Sequence, residues 1–278
     1  MAVPEAIGYD GKTGSLVRLA EMFKHFKQLD GGISYVFNVT EHMAQYFQKN
    51  GVAARYNILP TGLKFSGYFG LGWRTLFLVI KSFFVFDIPR AETDEEKIVV
   101  YASSDLFWEV IPAWGYKIGN KKIEWVQIIH HIYPNWQQRS GKKIINFLGY
   151  YLQRGSLFLI HQKADKIILM NSLVKAKLLQ MGWNARKICV LSNGIDFEHF
   201  SAGPGSGKLF DGIFLGRLNP NKGFADLIPI WKKVCEKVPA AKLAIIGGAG
   251  KKTKADLIQE IKNQGLEKNI EVMGFLPD

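Results

Sequence analysis

A chain of 278 residues, 47% of them apolar, has room for one large or two ordinary domains with real cores. Its two cysteines, Cys189 and Cys235, both sit in apolar runs, which excludes a disulfide framework and a Cys-based zinc site and favours a reducing compartment. The net charge of +12, from 36 Lys and Arg against 24 Asp and Glu, is uneven: residues 137–188 hold ten basic residues and one acid, Asp165. Such a block is either a solvated helix face or a surface drawn to anionic lipid headgroups or another anionic partner. It carries no RNP, zinc-finger or helix-turn-helix signature, so nucleic acid is not an expected partner.

The first fifteen residues, MAVPEAIGYDGKTGS, lack the apolar core of a signal peptide. They read as a flexible N-terminal extension, and nothing in them places the protein outside the cytosol. Residues 6–13, AIGYDGKT, meet the loosest form of the phosphate-loop pattern, but only MAVPE precedes them, where a working loop needs a buried strand. Residues 16–26 are read as a first strand, although their pattern also suits a helix. Asp30, Gly31 and Gly32 then signal a turn. Residues 33–50 read as a helix with Val36, Val39, Met43 and Phe47 on one face and a stop at Gly51. A Gly-Gly turn opening a helix would let backbone approach a ligand closely; the alternative is a plain connection.

A short strand is expected at 56–59. The longest apolar stretch, 69–88, contains Arg74, Lys81 and Asp87, so it reads as a core or interfacial helix rather than a membrane span. From residue 97 the pattern alternates: strand 97–102, helix 105–117, strand 123–129, helix 143–161, strand 165–170, helix 172–181 and strand 187–191. Continuous apolar strands alternating with helices predict a parallel sheet covered on both faces. His130 and His131 stand at the end of one such strand, where open α/β sheets bind ligands. Adjacent histidines point to different sides, so they are no ready metal pair. Polar caps at a strand end are the plainer alternative.

Residues 201–208, SAGPGSGK, form a linker. A second α/β unit follows, with strands ending at Gly216, at the Gly247–Gly250 loop and near Gly274. Its first strand runs into the turn NPNKG, and Gly223 opens an apolar-periodic helix. Arg217 and Lys222 flank that turn, where a helix N-terminus favours an anion. A planar fork and a point charge suit a diphosphate; two solvated cations beside an ordinary turn are the alternative.

The string GRLNPNKG resembles the G-R-L-x-x-x-K-G element of retaining glycosyltransferases of family 4. The resemblance extends from about residue 16 to the end, most clearly over ADKIILMNSLVKAKLLQMGWNARKICVLSNGID. Ser192 replaces the usual Pro in the element that crosses between domains. It implies the GT-B fold: α/β, with two Rossmann-like domains, an N-terminal one at 16–196 and a nucleotide-sugar domain from 209, joined by the 197–208 linker. It also implies that Arg217 and Lys222 hold the donor diphosphate, that Gly31, Gly32, Gly216, Gly248 and Gly274 line the donor site, and that His130 contacts the sugar. By register His130 matches better than His131. The donor is a nucleotide-diphosphate sugar and the acceptor a glycan or lipid-linked glycan, with no metal and no cofactor. The family's E-x7-E element would lie past Asp278, so the second domain is expected to be incomplete and this chain inactive alone. The expected location is cytoplasmic, at the membrane face. The competing reading is a non-catalytic module that binds a nucleotide or an anionic membrane. A nicotinamide-dependent oxidoreductase ranks below both, because no G-x-G-x-x-G with an acidic partner occurs.

Overall fold

The computed structural model describes residues 2–3, 14–26, 33–59, 96–139, 141–194, 207–216, 218, 222–248 and 251–276, with isolated positions between 73 and 80. The chain divides into two compact units, Met1–Ile195 and Asp196–Asp278.

The first unit opens with a parallel sheet of three strands in order β1-β2-β3: β1 (Ala2–Val3), β2 (Val36–Thr40) and β3 (Arg55–Leu59). The start of the chain therefore differs from a flexible extension, since Ala2 and Val3 pair with Asn38 and Val39. Residues 16–26 are not a strand. They lie in helix α1 (Gly14–Phe26), which buries Leu16, Leu19, Ala20 and Phe23, a helical i, i+3, i+4, i+7 stripe. Residues 33–50 are not one helix either. Val36–Thr40 pairs in register with Arg55–Leu59, and α2 (Glu41–Lys49) starts only at Glu41. The spacing from Val36 to Phe47 imitates a helical face, but strand pairing with Phe37 and Val39 buried prevails. Phe23, Phe37 and Phe47 hold this layer together, with Phe23 edge-on to Phe37 at 4.7 Å.

The second sheet of this unit has order β4-β5-β6-β7, all parallel: β4 (Val99–Ala102), β5 (Glu124–Ile129), β6 (Lys166–Leu169) and β7 (Ile188–Val190). Helices α3 (Phe107–Gly119), α4 (Lys143–Lys163) and α5 (Ser172–Gln180) connect them. Trp125, Ile129, Ile160 and Leu169 are fully buried at its centre. Beside the start of β5, Asp165 pairs with Lys117 at 2.7 Å and accepts the Trp125 amide. Of the apolar stretch 69–88, positions 73, 76, 77, 79 and 80 are helical; the others lie outside the described residues.

The second unit is a parallel sheet in order β10-β9-β8: β8 (Gly212–Leu215), β9 (Leu243–Ile246) and β10 (Ile270–Gly274), with helices α6 (Phe224–Lys237) and α7 (Lys251–Asn263) as crossovers. Trp231 of α6 packs onto β8 where Gly212 leaves room. A Cβ there would lie 2.8 Å from two of its ring atoms. Gly212→Ala is expected to overpack this contact and cost about 1–3 kcal/mol. Faster hydrogen exchange across β8 and α6 checks it; unchanged protection would contradict the contact.

Candidate functional site

In each unit the sequence-derived residues gather where parallel strands end. The C-terminal end of β4 runs into Ser103, Ser104 and Asp105, and that of β5 into His130 and His131. A buried polar network joins the two. Glu109, on the first turn of α3, is fully enclosed. Its carboxylate accepts from the Ser103 hydroxyl at 2.8 Å, the Ser104 amide at 2.9 Å and the Ser104 hydroxyl at 2.8 Å. Burial nevertheless raises its pKa to about 7, with the three hydrogen bonds opposing the rise and nearby Asp105 adding to it.

Ser103 also fixes His130. The imidazole Nε2 lies 3.0 Å from the Ser103 carbonyl oxygen, so that nitrogen carries the proton, and the His130 amide donates to Asp105 Oδ1 at 3.3 Å. His130 is thus half-buried and held from two sides. His131 turns outward, its ring 4.8 Å from Tyr133. Partial burial lowers its pKa, against the pull of the Asp105 carboxylate.

Gln153, reaching up from the middle of α4, ties the loops together. Its amide nitrogen donates to Asp105 Oδ2 at 2.6 Å and to the His131 carbonyl at 2.8 Å, while its oxygen accepts from the Tyr133 amide. Gln153→Ala would strip buried Asp105 of this donor and is expected to cost about 1–3 kcal/mol. A lower urea midpoint together with shifted His131 ring resonances checks it. Sequence reasoning missed Asp105, Glu109 and Gln153. Their types are ordinary, and Gln153 meets Asp105 across 48 residues of chain. The one available signal was a polar residue on the apolar-periodic helix α4.

In the second unit, Gly216, Gly248 and Gly274 come together along the carboxyl edge of the sheet. The Gly216 amide donates to the Ile246 carbonyl at 2.9 Å, Leu218 to Gly248 at 3.1 Å, and Gly247 to Gly274 at 2.7 Å. These three amides are engaged in closing the sheet edge, and beyond it the two helix starts and the lysine side chains offer donors to an anion. Gly223, at φ +70°, lets the chain turn into α6, and exposed Lys222 precedes it. The first turn of α7 carries Lys251, Lys252 and Lys254 and no acid. Lys254 reaches Gly274, its Nζ lying 3.8 Å from where a Cβ would stand. These lysines were passed over in the sequence, although cations at a helix N-terminus oppose the helix dipole and so mark a place for an anion.

Arg217, Gly31 and Gly32 lie outside the described residues. The premise for assigning Gly31 and Gly32 to the donor needs correction. The first strand is Ala2–Val3 and its helix begins at Gly14, so the connection that follows the first strand is 4–13, with Gly8 and Gly11. In the chain Gly31 and Gly32 follow α1 and precede β2.

Comparison with known proteins adds the following. Residues 198–278 match the family model described as glycosyl transferases group 1. No curated protein matches the chain in sequence. Among solved structures, the chain is similar to Alr3699/HepE of Anabaena in complex with UDP and glucose, with TM-score 0.64 and 16% identity over 96% of this chain and 67% of that one. It is also similar to the lipopolysaccharide outer core galactosyltransferase WaaB (TM-score 0.58, 14% identity, 96% and 66%). A UDP-N-acetylglucosamine 2-epimerase shares the architecture at TM-score 0.54 and 13% identity, with 94% and 66% covered. The chain spans about two thirds of the length of these proteins. Its fold is that of the GT-B glycosyltransferases, parallel sheets with helical crossovers, and its residues 198–278 carry the sequence pattern of glycosyl transferases group 1.

Proposed function

We propose that the protein transfers a hexosyl group from a nucleotide-diphosphate sugar to a glycan or lipid-linked acceptor, with retention of configuration. The observation that carries this reading is the carboxyl edge of the second unit. Three strand ends with glycines, the Lys222 turn and the lysine-led start of α7 meet there, within the segment that matches glycosyl transferases group 1. That edge belongs to the nucleotide-sugar domain, from residue 209, and the first unit supplies the acceptor side. UDP is the favoured nucleotide, supported by the UDP and UDP-glucose bound in the HepE structures.

Arg217 and Lys222 neutralise the charge that develops on the departing diphosphate, which stabilises the transition state electrostatically. They do this without a metal ion. His130, held by Ser103 and Asp105, orients the sugar. The protein works in the cytoplasm, and the basic segment 137–188 draws it to an anionic membrane surface.

Incubation with UDP-glucose and proton NMR of the first sugar released tests the reaction. A released α-glucosyl product supports retention. A β product contradicts retention.

A further inference from the structure

Helix α4 is inverted in polarity. Its buried stripe contains Asn146, Gln153 and Ser156 beside Leu157 and Ile160. Its opposite face is apolar and open: Ile144, Leu148, Tyr151 and Phe158 are 63%, 53%, 53% and 61% exposed. At 100° per residue these four fall on one line, with Gly155 between the last two. A solvent-facing helix normally shows the reverse pattern, so this ridge needs a partner.

The surroundings define that partner. At helical spacing Lys143 and Arg154 line one flank, with the Arg154 guanidinium 5.0 Å from the Tyr150 ring. Aromatic rings continue the surface from Trp136 to Phe147 at 5.4 Å, and on to Tyr151 at 4.7 Å. Residues 137–164 contain five cations and no acid. The next acid, Asp165, is engaged by Lys117. A second copy of this chain paired two-fold through this face would set these cations against their own kind, and residues 137–164 hold no acid to pair them. An apolar ridge with aromatic neighbours and a cationic border suits a helix lying in the plane of an anionic bilayer, its ridge in the acyl boundary and its cations at the phosphates. Among the described residues no helix is long and apolar enough to cross a membrane.

We propose that the outward face of α4 is a docking surface for anionic phospholipid bilayers. The proposal rests on the membrane attraction proposed above for segment 137–188 and names the face that makes it; it stands whether or not sugar transfer is demonstrated.

The test is co-sedimentation of the chain with vesicles of phosphatidylcholine mixed with phosphatidylglycerol, and with phosphatidylcholine alone. Two variants are compared at matched circular dichroism: Leu148→Glu/Phe158→Glu, which breaks the ridge, and Lys143→Glu/Arg154→Glu, which inverts its border. The chain is expected to bind anionic vesicles about tenfold more tightly than neutral ones, and each variant to lose about tenfold or more. High salt is expected to weaken the wild-type interaction. Equal binding to both vesicle types, or unchanged binding by both variants, overturns the proposal. A dimer in sedimentation velocity without lipid, dissolved by the ridge variant, also overturns it by assigning the face to self-association.

Discussion

Glu109→Gln is expected to abolish a loss of stability that the wild-type protein suffers between about pH 5 and pH 8. The Glu109 carboxyl is enclosed at the end of β4, and burial raises its pKa from the ordinary 4.5 to about 7. The folded state therefore keeps this proton over a pH range in which the unfolded chain has lost it. The resulting stabilisation is complete below about pH 4.5 and disappears as pH rises through about 7. At about 1.4 kcal/mol for each pH unit, the gap corresponds to roughly 3 kcal/mol. Glutamine mimics the neutral acid. Its oxygen can accept from Ser103 and from the Ser104 amide, and the Ser104 hydroxyl can turn to receive its N–H. Urea midpoints of the wild type should fall across the range relative to those of the variant. Parallel curves would mean that the carboxyl is solvated or titrates normally. Because Ser103 also positions His130, Glu109→Gln should change the pH response of the His130 resonances relative to the wild type.

Arg217→Ala/Lys222→Ala is expected to weaken nucleoside diphosphate binding by about 100-fold at low salt. Hydrogen bonds to a charged group contribute about 1.5–3 kcal/mol each, and Lys222 is exposed, so the lower end applies to it. The second unit offers few substitutes at the sheet edge, since the amides of Gly216, Leu218 and Gly247 are already bound to carbonyls there. The lysines opening α7 would retain part of the attraction, which separates this variant from complete loss. Adding Lys254→Ala should lower affinity further, because Lys254 reaches the Gly274 end of the same edge. A double variant with undiminished affinity would remove Arg217 and Lys222 from the site.

The later part of the chain was legible because fully buried parallel strands are written as continuous apolar runs. Residues 165–170 and 187–191 are read that way and contain β6 and β7. The opening was not. Its first strand, Ala2–Val3, is only two residues long and carries no pattern. Assigning 16–26 to that role then displaced every element up to residue 50, even though Leu16, Leu19, Ala20 and Phe23 spell a helix. The same displacement read Gly31 and Gly32 as following a strand, where helix α1 precedes them in the chain.

The site was legible only in part, and the reason is again physical. Lys222, Gly216, Gly248 and Gly274 could be named because the sequence around them resembles a family pattern, and the structure brings the three glycines to strand ends. Asp105, Glu109 and Gln153 could not. They matter through partners that only the strand order brings close, as when the Gln127 side chain donates to the Ser104 carbonyl at 2.7 Å across two strands. The sequence shows the helix at 143–161 but not the inverted polarity of its faces. Which side faces inward depends on Gln153 meeting Asp105.

Calorimetric titration of UDP and GDP into the wild-type chain, each paired with its nucleoside, tests the central claim most directly. The diphosphate site proposed at the carboxyl edge of the second unit predicts saturable binding of at least one of the two diphosphates. The matching nucleoside, which lacks the charged group that the helix starts and lysines attract, should bind at least tenfold more weakly. Equal affinity for diphosphate and nucleoside, or no binding of either diphosphate, would contradict the account.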